Sequence, residues 1–559
     1  MADSSTLARV PPHLRHLIVQ QDYARYTAVD QAVWRFVLLQ AHARLKSAAH
    51  AAYGNGLAQT GISAEHIPRI AEMDAHLAPF GWGAVCVDGF IPPRAFQELQ
   101  SLSILPIAAD MRTAEHLVYT PAPDIIHEAA GHAPILPDPV YAAYLRRVGA
   151  AGARAFTLPE DTAIDRAIYA LSEIKEQPSA TPEQVARAEQ VLLEARSGLR
   201  RVSEAARLSR LYWWTAEYGL VGTPRSYKLY GAGLLSSLWE SNACHDPKVG
   251  KLVLSALCAD VDYDVTRPQP QLFVTPSFED LHQVLDQVVR ELPSARSGEA
   301  ALAEAVAAGE VATITLQGGV ELHGVVESRR VAAGRTTLLV IADGRAQSAA
   351  FRARGPRVFA LLGDSRAALA HLRPGRVSLL LAHGASLTGE LAEAAAAAQG
   401  AGILVMRRGT LSAGAELSTE LADGDIVVLS DGALGAHAGA PSDFFPETEL
   451  PRTQVPKAHT VPPREQGLLA LYERALTALR SALGSEVVPV FERVHRELGQ
   501  SYPHDWLLRW NLLESLQKLG AGSSLDEELR RELEELEVHY DYRQPIASGL
   551  AYLRRVAAR

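Results

Sequence analysis

The chain contains 559 residues, of which 48% are hydrophobic, 21% charged and 6% aromatic. These fractions are typical of globular domains and exclude a disordered or fibrous protein. At roughly 150 residues per domain, the length predicts three or four domains. The chain carries 54 basic and 64 acidic residues, and its formal net charge of -10 disfavours nucleic acid as a partner.

The cysteines and the first residues of the chain bear on its location. Three cysteines are too few for a disulfide framework in a chain of this length. They indicate a reducing compartment, so we expect the protein in the cytoplasm. The first residues do not place an apolar segment after a basic one, as a signal peptide would. No apolar run approaches the ~20 residues that a membrane helix needs, so we expect no membrane partner.

Residues 1–300 contain long segments with the periodicity of amphipathic helices, and we expect a mainly α-helical domain there. One helix is predicted to begin after Thr181, because threonine suits the N-cap, Pro182 suits the first helical position, and Gln184 completes a capping box. A second helix is predicted from about residue 204 to residue 220, where apolar side chains recur at helical spacing.

The sequence pattern changes after residue 300. Residues 311–316 and 320–326 alternate in hydrophobicity around two glycines, which predicts two strands joined by a tight turn. With a further strand at 336–341, they predict a small β domain over residues 305–365. Residues 366–443 predict an α/β segment with strands at 377–382, 402–406 and 425–430 and a helix at 388–399.

The last part of the chain is predicted to be helical. Residues 444–464 contain several prolines and predict an extended linker, which a helical region over residues 465–559 follows. Ser524 and Glu527 predict a capping box. Four leucines follow at helical spacing, namely Leu525, Leu529, Leu533 and Leu536. We expect this leucine stripe to pack within its own domain, and association of two copies of the chain through these helices is the alternative.

Two histidines five positions apart are the first candidate metal ligands. In the zinc peptidase motif the two histidines are four residues apart and share one face of a helix. The interval between His127 and His132 is longer by one residue, which separates the side chains by about 140° on a regular helix. A bend at Gly131 would bring the imidazoles together, since glycine tolerates positive φ, and Pro134 would then end the helix. The spacing argues against a zinc peptidase but fits a two-histidine metal site.

Glu217 is the best candidate for a third ligand. It lies in an aromatic and apolar stretch, residues 212–220, where a buried carboxylate is costly unless it is paired or binds a metal. On a helix, Trp213 would lie on the same face, so that one helix presents a ligand beside an indole ring. Two histidines and one carboxylate with open positions form the facial triad of non-haem iron(II) oxygenases.

Three segments resemble the aromatic amino acid hydroxylases, which are pterin-dependent monooxygenases. These segments are Pro123-Asp-Ile-Ile-His-Glu-Ala-Ala-Gly-His-Ala-Pro134, Trp213-Trp-Thr-Ala-Glu-Tyr-Gly-Leu220 and Tyr230-Gly-Ala-Gly-Leu-Leu-Ser-Ser237. They follow the order of the family, and Glu217 lies 85 positions after the second histidine. The resemblance covers most of residues 1–295 and implies a catalytic domain with the family's fold over residues 1–300. Some bacterial members of the family are extended at the C-terminus in a similar way.

The resemblance implies iron(II) as the metal, a tetrahydropterin as the cofactor and dioxygen as the oxidant. His127, His132 and Glu217 fall on the iron ligands of the family. Asp124 falls on an acid beside the first ligand, and a helix N-cap is the other role that its position suggests. Arg112 matches the arginine that binds the substrate carboxylate, to which a guanidinium can donate two parallel hydrogen bonds. Without the resemblance, Arg112 would be assigned to the solvated surface.

Further residues match positions that contact the two small molecules. Phe96 matches the ring that stacks on the pterin, and the other pterin positions are Gly89, Ile91, Glu128 and Tyr212. The positions of the amino acid pocket are Thr120, Pro121, Trp213, Gly233, Ser236 and Val265. Two residues depart from the family's pattern. Pro106 replaces a histidine that the animal enzymes carry near the pterin, and Tyr218 replaces a residue that is usually phenylalanine.

Two positions favour phenylalanine as the substrate. Trp213 stands where the tryptophan-specific members carry phenylalanine, and Val265 stands where tyrosine hydroxylases carry aspartate. An apolar residue at position 265 offers nothing to bind a phenolic hydroxyl. We therefore expect hydroxylation of L-phenylalanine to L-tyrosine. The alternatives are hydroxylation of tryptophan or another aromatic amino acid, and an inactive protein that binds an aromatic amino acid on the same fold. A zinc hydrolase is disfavoured by the histidine spacing.

Overall fold

The computed structural model of the chain describes residues 5–89, 91–117, 123–176, 180–265, 268–363, 372–381, 384–413, 417–445, 463–481, 484–520, 524–538 and 543–557. Three parts follow one another along these residues. The N-terminal part comprises residues 5–297, the β unit comprises residues 298–438, and the C-terminal helices comprise residues 463–557.

The N-terminal part is mainly helical, as its periodicity predicts. Its helices are α1 (Ser5–Arg9), α2 (Ala28–Ala48), α3 (Ala51–Gln59), α4 (Ile70–Leu77), α5 (Pro93–Ser101), α6 (Pro139–Arg154), α7 (Pro159–Glu176), α8 (Pro182–Ser197), α9 (Glu204–Tyr212), α10 (Ala232–Ser236), α11 (Glu240–Ala243), α12 (Phe278–Glu291) and α13 (Pro293–Arg296). The next helix, α14 (Gly298–Ala308), begins the β unit and is buried in its core. A parallel pair is formed by β1 (Gly83–Val87) and β2 (Ile104–Ala108). A four-stranded sheet contains β3 (Leu220–Thr223), β4 (Ser226–Leu229), β5 (Gly250–Val253) and β6 (Gln271–Thr275), in the order β4-β3-β6-β5.

Helix α8 begins where the capping box predicts. The Gln184 N–H donates to the Thr181 hydroxyl at 3.3 Å, and the Thr181 N–H donates to the Gln184 side chain at 2.7 Å. The helix packs against α7 through apolar residues that include Leu192 and Leu171. Helices α7 and α8 therefore form a hairpin with a small core of its own.

Helix α9 ends at Tyr212, before the predicted residue 220. The chain continues in a π-helical turn, Trp213–Glu217, and the N–H of Tyr218 donates to the carbonyl of Trp213 at 2.9 Å. Strand β3 then begins at Leu220, which pairs with Leu229. The helix therefore does not reach residue 220, because the Gly219 carbonyl accepts from the N–H of Tyr230 and Leu220 pairs with β4.

Residues 311–438 form one ten-stranded sheet. Its strands are β7 (Val311–Leu316), β8 (Val320–Ala332), β9 (Arg335–Gln347), β10 (Arg352–Leu362), β11 (Gly375–Leu380), β12 (Ala385–Ala396), β13 (Gly402–Ala413), β14 (Leu417–Leu421), β15 (Ile426–Ser430) and β16 (Ala433–Ala438). The order is β11-β12-β13-β15-β10-β9-β8-β7-β16, with β14 paired to β13. The boundary expected at residue 365 falls inside this sheet, because β10 pairs in parallel with β15.

The α/β segment predicted over residues 366–443 is wrong, because its helix is a strand. Residues 388–396 lie in β12, which pairs with β13 in antiparallel register. Leu387 and Leu391 are four residues apart, and that interval places two side chains on one face of a strand as well as of a helix. Both leucines are buried in the core of the sheet. The strands expected at 402–406 and 425–430 are confirmed in β13 and β15.

Within the described residues, the region 465–559 is helical as expected. It contains α15 (Pro463–Ser481), α16 (Val488–Ser501), α17 (Trp506–Leu519), α18 (Ser524–Leu536) and α19 (Arg543–Ala557). Within the leucine stripe, Leu525, Leu529 and Leu533 are buried in the same core as the N-terminal helices, so the chain itself covers them. Most of the predicted linker, residues 446–462, lies outside the described residues.

The C-terminal helices pack against α2 through aromatic and charged side chains. The ring of Phe36 meets Trp506 and Trp510 edge to face, with centroids 5.0 Å and 4.7 Å away. Beside these rings, the buried Arg35 guanidinium donates to Glu514 at 2.6 Å and also contacts Glu65. The two ends of the chain therefore share one core.

Two expectations about location can be compared with the structure. Among the described residues, no helix combines the length and apolar surface needed to cross a bilayer. Cys86, Cys244 and Cys258 are buried free thiols. The second observation agrees with the expectation that the chain has no disulfide framework.

We predict that Arg35→Met destabilises the protein far more than Arg474→Met does. Arg35 is buried, and its loss would leave Glu514 buried without its cation, which costs about 3 kcal/mol. Arg474 pairs with Glu497 at the surface, where a pair contributes only about 0–1 kcal/mol. Thermal unfolding followed by circular dichroism should show a clearly lower midpoint for Arg35→Met alone. Equal midpoints in the two variants would contradict the prediction.

Candidate active site

A cleft of about 1250 Å³ opens in the N-terminal part, and most of the predicted site residues line it. The predicted residues in its wall are Gly89, Ile91, Phe96, Arg112, His127, Glu128, Tyr212, Trp213, Glu217, Gly233, Ser236 and Val265. His132 and Asp124 are buried and contact wall residues, Glu217 and Arg112 respectively. Thr120 and Pro121 lie outside the described residues.

A π-helical turn brings the two histidines together. Residues Ile126–His132 form this turn, in which hydrogen bonds join residues five apart, and His127 and His132 are separated by that same interval. The ring centroids are 5.0 Å apart. The bend expected from positive φ at Gly131 is absent, since Gly131 is not among the described glycines with positive φ. Gly131 is needed for another reason, because a Cβ there would lie 2.8 Å from the carbonyl oxygen of Ala232.

Glu217 reaches both histidines from the second π-helical turn. Its Oε2 lies 3.2 Å from His127 Nε2, and its Oε1 lies 3.1 Å from His132 Nε2. The glutamate is the last residue of the turn Trp213–Glu217 and is buried. The structure therefore brings together the three side chains that the sequence indicates as ligands.

Several polar atoms around this triad lack hydrogen-bond partners. Within the described residues, Nδ1 of the fully buried His132 and Oε2 of Glu128 have none, and His132 Nε2 lies 3.1 Å from Glu217 Oε1 without the geometry of a hydrogen bond. Glu128 also offers a carboxylate oxygen within 4.8 Å of ring nitrogens of His127 and His132. Buried polar groups are normally satisfied, and a metal ion would satisfy His132 Nε2 and Glu128 Oε2. Two imidazoles and one or two carboxylates form a donor set suited to a divalent transition metal.

The electrostatics of the triad also favour a cation. Burial opposes the charge on Glu217, but the imidazoles of His132 and His127 outweigh it and hold the Glu217 pKa well below its usual range. Burial likewise opposes the charge on His127, yet the carboxylates of Glu217, Glu128 and Asp124 raise the His127 pKa to about 9. The carboxylates thus create a negative field in which a metal cation can replace the protons.

The Ser236 hydroxyl determines the orientation of His127. Ser236 donates its only proton to the carbonyl of Ala232 at 2.8 Å. Its oxygen, 3.1 Å from His127 Nδ1, must therefore accept a hydrogen bond from that nitrogen. The proton of a neutral His127 is then on Nδ1, and the lone pair of Nε2 is directed at the metal position beside Glu217. Ser236, predicted to contact the amino acid, also holds a ligand.

Asp124 holds both the π-helical turn Ile126–His132 and Arg112, the arginine predicted to bind the substrate carboxylate. It accepts a hydrogen bond from His127 N–H at 3.0 Å, which supports the N-cap role. The same carboxylate accepts from Arg112 Nε at 2.6 Å and from Arg112 Nη2 at 2.8 Å. Arg112 is buried, so its alternative assignment to the solvated surface is wrong.

Aromatic rings form much of the cleft wall. The Trp213 indole is stacked between Tyr263 at 4.3 Å and Tyr218 at 4.7 Å. At the position predicted for the pterin, Phe96 meets Tyr212 edge to face at 6.1 Å, and Gln100 donates to the Tyr212 hydroxyl at 2.8 Å. A wall of this kind excludes water and suits planar, aromatic ligands.

Some wall residues were missed by the sequence analysis. Tyr263 lies two residues before Val265, and its stacking on Trp213 depends on a tertiary contact that no local pattern indicates. Glu240 accepts a hydrogen bond from the Tyr218 hydroxyl at 2.6 Å, and burial raises the Glu240 pKa to about 7. An acid in an apolar stretch was the signal that indicated Glu217, and it would have indicated Glu240 as well. Helix α7 also contributes to the wall, through residues that include Asp165.

Comparison with known proteins identifies the class of this site. A family model described as "Biopterin-dependent aromatic amino acid hydroxylase" matches residues 18–166 and 188–297. The chain is 28% identical over 289 residues to a phenylalanine-4-hydroxylase of Ralstonia nicotianae, covering 52% of this chain and 76% of that protein. It is 24% identical over 262 residues to a phenylalanine 3-hydroxylase of Streptomyces coeruleorubidus, covering 46% of this chain and 77% of that protein. A crystal structure of Chromobacterium violaceum phenylalanine hydroxylase with bound iron(III) and 7,8-dihydrobiopterin aligns with a TM-score of 0.39 at 23% identity, covering 52% of this chain and 92% of that one.

The family model and the sequence relatives confirm the predicted class of enzyme, a pterin-dependent monooxygenase. Through its N-terminal part, the chain belongs to the biopterin-dependent aromatic amino acid hydroxylase family. Residues 167–187, between the two matched segments, include the end of α7 and the beginning of α8. Part of the hairpin is therefore an addition to the matched framework.

We predict that Ser236→Ala weakens the binding of a divalent metal by about tenfold. The variant removes the group that orients His127, and losses of 10- to 100-fold are typical when such a partner is removed. Ser241→Ala is the matched control, because Ser241 is also a buried serine but hydrogen-bonds to Leu238 instead of a ligand. Titration of the metal-free proteins with Fe²⁺ under anaerobic conditions gives the two dissociation constants. Equal constants for Ser236→Ala and the unchanged protein would contradict the role assigned to Ser236.

Proposed function

We propose that this enzyme hydroxylates L-phenylalanine to L-tyrosine, with iron(II), a tetrahydropterin and dioxygen. The observation that carries the proposal is the convergence of His127, His132 and Glu217 within 3.2 Å in an aromatic-lined cleft. Two imidazoles and one carboxylate leave several metal positions open for other ligands.

The residues present fit an iron(II) ion. His127, His132 and Glu217 would hold it, and His132 Nε2, which lies beside Glu217 without the geometry of a hydrogen bond, is consistent with this role. When bound, the iron and the pterin together supply the activation of dioxygen that amino acid side chains cannot supply. Glu128 lies close enough to act as a further ligand or to stabilise the charge of the metal.

The side chains of the cleft bind and orient the amino acid. Arg112 would pair with its carboxylate, and the hydrogen bonds that Arg112 donates to Asp124 already fix the direction of the guanidinium before the substrate binds. The rings of Trp213 and Tyr263 would keep water away from the reacting ring. Phe96 would stack on the pterin, with Gly89, Ile91 and Tyr212 around it.

Phenylalanine is favoured over other aromatic amino acids by two wall residues. Val265 lines the cleft and offers no partner to a phenolic hydroxyl, and Trp213 reduces the space available for an indole. The name of the Ralstonia nicotianae relative agrees with this choice. The Streptomyces coeruleorubidus relative, named as a phenylalanine 3-hydroxylase, makes hydroxylation at the 3-position the second candidate.

We predict that the iron(II)-loaded protein, given a tetrahydropterin and oxygen, converts L-phenylalanine to L-tyrosine. Chromatographic separation of 4-hydroxyphenylalanine from 3-hydroxyphenylalanine tests the ring position. A 3-hydroxy product would replace the proposal by the second candidate. Turnover of tryptophan alone would contradict the substrate assignment, and bound iron without product from any aromatic amino acid would indicate a binding protein.

We predict that His132→Ala lowers both bound iron and turnover by more than about 100-fold, because a ligand contributes more than the groups that orient it. The matched control is His495→Ala. His495 lies with Glu528 and Glu532 in a second cluster of potential ligands, but Arg509 donates to Glu532 at 2.6 Å and already neutralises it. Iron content by mass spectrometry should fall only for His132→Ala. Iron loss in the His495 variant alone would overturn the assignment of the metal site.

A further inference from the structure

The β unit contributes one side chain to the cleft. Glu310 lies between α14 and β7, outside the segments matched by the family model, and it lines the cleft together with Arg94. The two side chains are about three-quarters buried, with exposed fractions of 24% and 27%. A residue from outside the hydroxylase family's framework is therefore part of the wall of the active-site cleft.

Glu310 and Arg94 form a bidentate ion pair. Arg94 Nη2 donates to Glu310 Oε1 at 2.8 Å, and Arg94 Nη1 lies 2.7 Å from Glu310 Oε2. Paired contacts of this kind fix both the distance and the plane of a guanidinium. Arg94 Nη2 also donates to the carbonyl of Ala155 at 2.9 Å, so the arginine joins the β unit to the end of α6.

Glu310 is itself held by the chain segment that follows α6. Its Oε1 accepts a hydrogen bond from the N–H of Thr157 at 3.0 Å. The neighbouring Phe156 is fully buried among side chains of the β unit, including Leu302 and Ile314. The Phe156 side chain therefore anchors residues 155–157 in the β unit, while their backbone groups hold Arg94 and Glu310.

This arrangement fixes the helix that carries Phe96. Arg94 and Phe96 both lie in the first turn of α5, directly after Pro92 and Pro93 in the cleft wall. Since Arg94 is tied to Glu310 and to Ala155, the first turn of α5 cannot rotate without breaking these contacts. Phe96 is the residue proposed to stack on the pterin ring.

We propose that Glu310 is a positioning residue for the pterin, supplied by the C-terminal half of the chain. It acts through Arg94, which holds the first turn of α5 and with it the ring of Phe96. This inference rests on the proposed pterin-dependent function and adds to it. The β unit is thereby assigned a role in cofactor binding, although the residues that contact the pterin belong to the N-terminal part.

The test compares Glu310→Gln with Glu304→Gln in the full-length protein. Glu304 belongs to α14 and forms a bidentate pair with Arg201 at 3.0 Å and 2.8 Å, so it also joins the two parts of the chain. Neither Glu304 nor Arg201 lines the cleft within the described residues. Titration with 7,8-dihydrobiopterin and steady-state kinetics with a tetrahydropterin are measured for both variants and for the unchanged protein.

We expect Glu310→Gln to raise the Kd for dihydrobiopterin and the KM for the tetrahydropterin by roughly three- to tenfold, as the loss of a largely buried bidentate pair implies. The KM for phenylalanine and the iron content should stay within about twofold, and Glu304→Gln should change none of these quantities. Unchanged pterin binding in Glu310→Gln, or an equal loss in Glu304→Gln, would overturn the inference. A protein that binds no dihydrobiopterin in its unchanged form would overturn the proposed function itself.

A double-mutant cycle of Glu310→Gln and Arg94→Gln tests whether Glu310 affects pterin binding through Arg94. If Glu310 acts through Arg94, the double variant binds dihydrobiopterin no more weakly than Arg94→Gln does. A further loss in the double variant would contradict the positioning role. Because the cycle compares binding constants of soluble variants, a small loss of stability common to all three variants does not change its result.

Discussion

The burial of one carboxylate beside two imidazoles is the constraint on which the N-terminal part depends. Removing the charge of Glu217 from water costs several kcal/mol unless other groups replace its hydration. His127 and His132 replace it within 3.2 Å, and both are brought there by a π-helical turn. Such turns are rare in proteins and occur most often at functional sites. The surrounding core must therefore stabilise two unfavourable turns in order to place three ligands.

The packing around the second π-helical turn shows how the fold stabilises it. Thr215 lies inside the turn and donates its hydroxyl proton to the carbonyl of Leu211 at 2.6 Å. Its oxygen then accepts a hydrogen bond from the buried Tyr144 hydroxyl at 2.7 Å, which ties the turn to α6. The first turn is held by the close approach of Gly131 to Ala232. Side chains with no role in chemistry thus determine where the ligands lie.

The residues of the site could be predicted from the sequence because each belongs to a short segment with its own chemical meaning. Histidines at a fixed interval and an acid among aromatic residues indicate ligands without knowledge of the fold. How His127 and His132 converge was predicted incorrectly, because a positive φ at Gly131 and a π-helical turn explain the same interval. Only the tertiary packing of Gly131 against α10 distinguishes the π-helical turn from a bend with positive φ.

The structure after residue 300 was harder to predict for a physical reason. The alanines, glutamates and leucines of residues 385–396 favour a helix when the segment is considered alone. Pairing with β13 and burial of Leu387 and Leu391 provide more free energy than that preference, so the segment becomes a strand. The contact between Glu310 and Arg94 joins residues 216 positions apart and leaves no local signal in the sequence.

The residues beyond the hydroxylase match are part of the framework around the cleft. One contact lies at the cleft itself, where Glu310 holds Arg94. Another contact involves Arg44 of α2, which lies 3.5 Å from Ser548 of α19. Arg44 also donates to the carbonyl of Leu238, two residues after Ser236. The match to the Ralstonia nicotianae relative covers 76% of that protein but only 52% of this chain. The additional residues contact the hydroxylase part at Arg94 and at Arg44. The hydroxylase part of this chain therefore depends on contacts that its shorter relatives do not need. Its apolar surfaces at Phe36 and Phe156 are complementary to the C-terminal half and would be exposed without it.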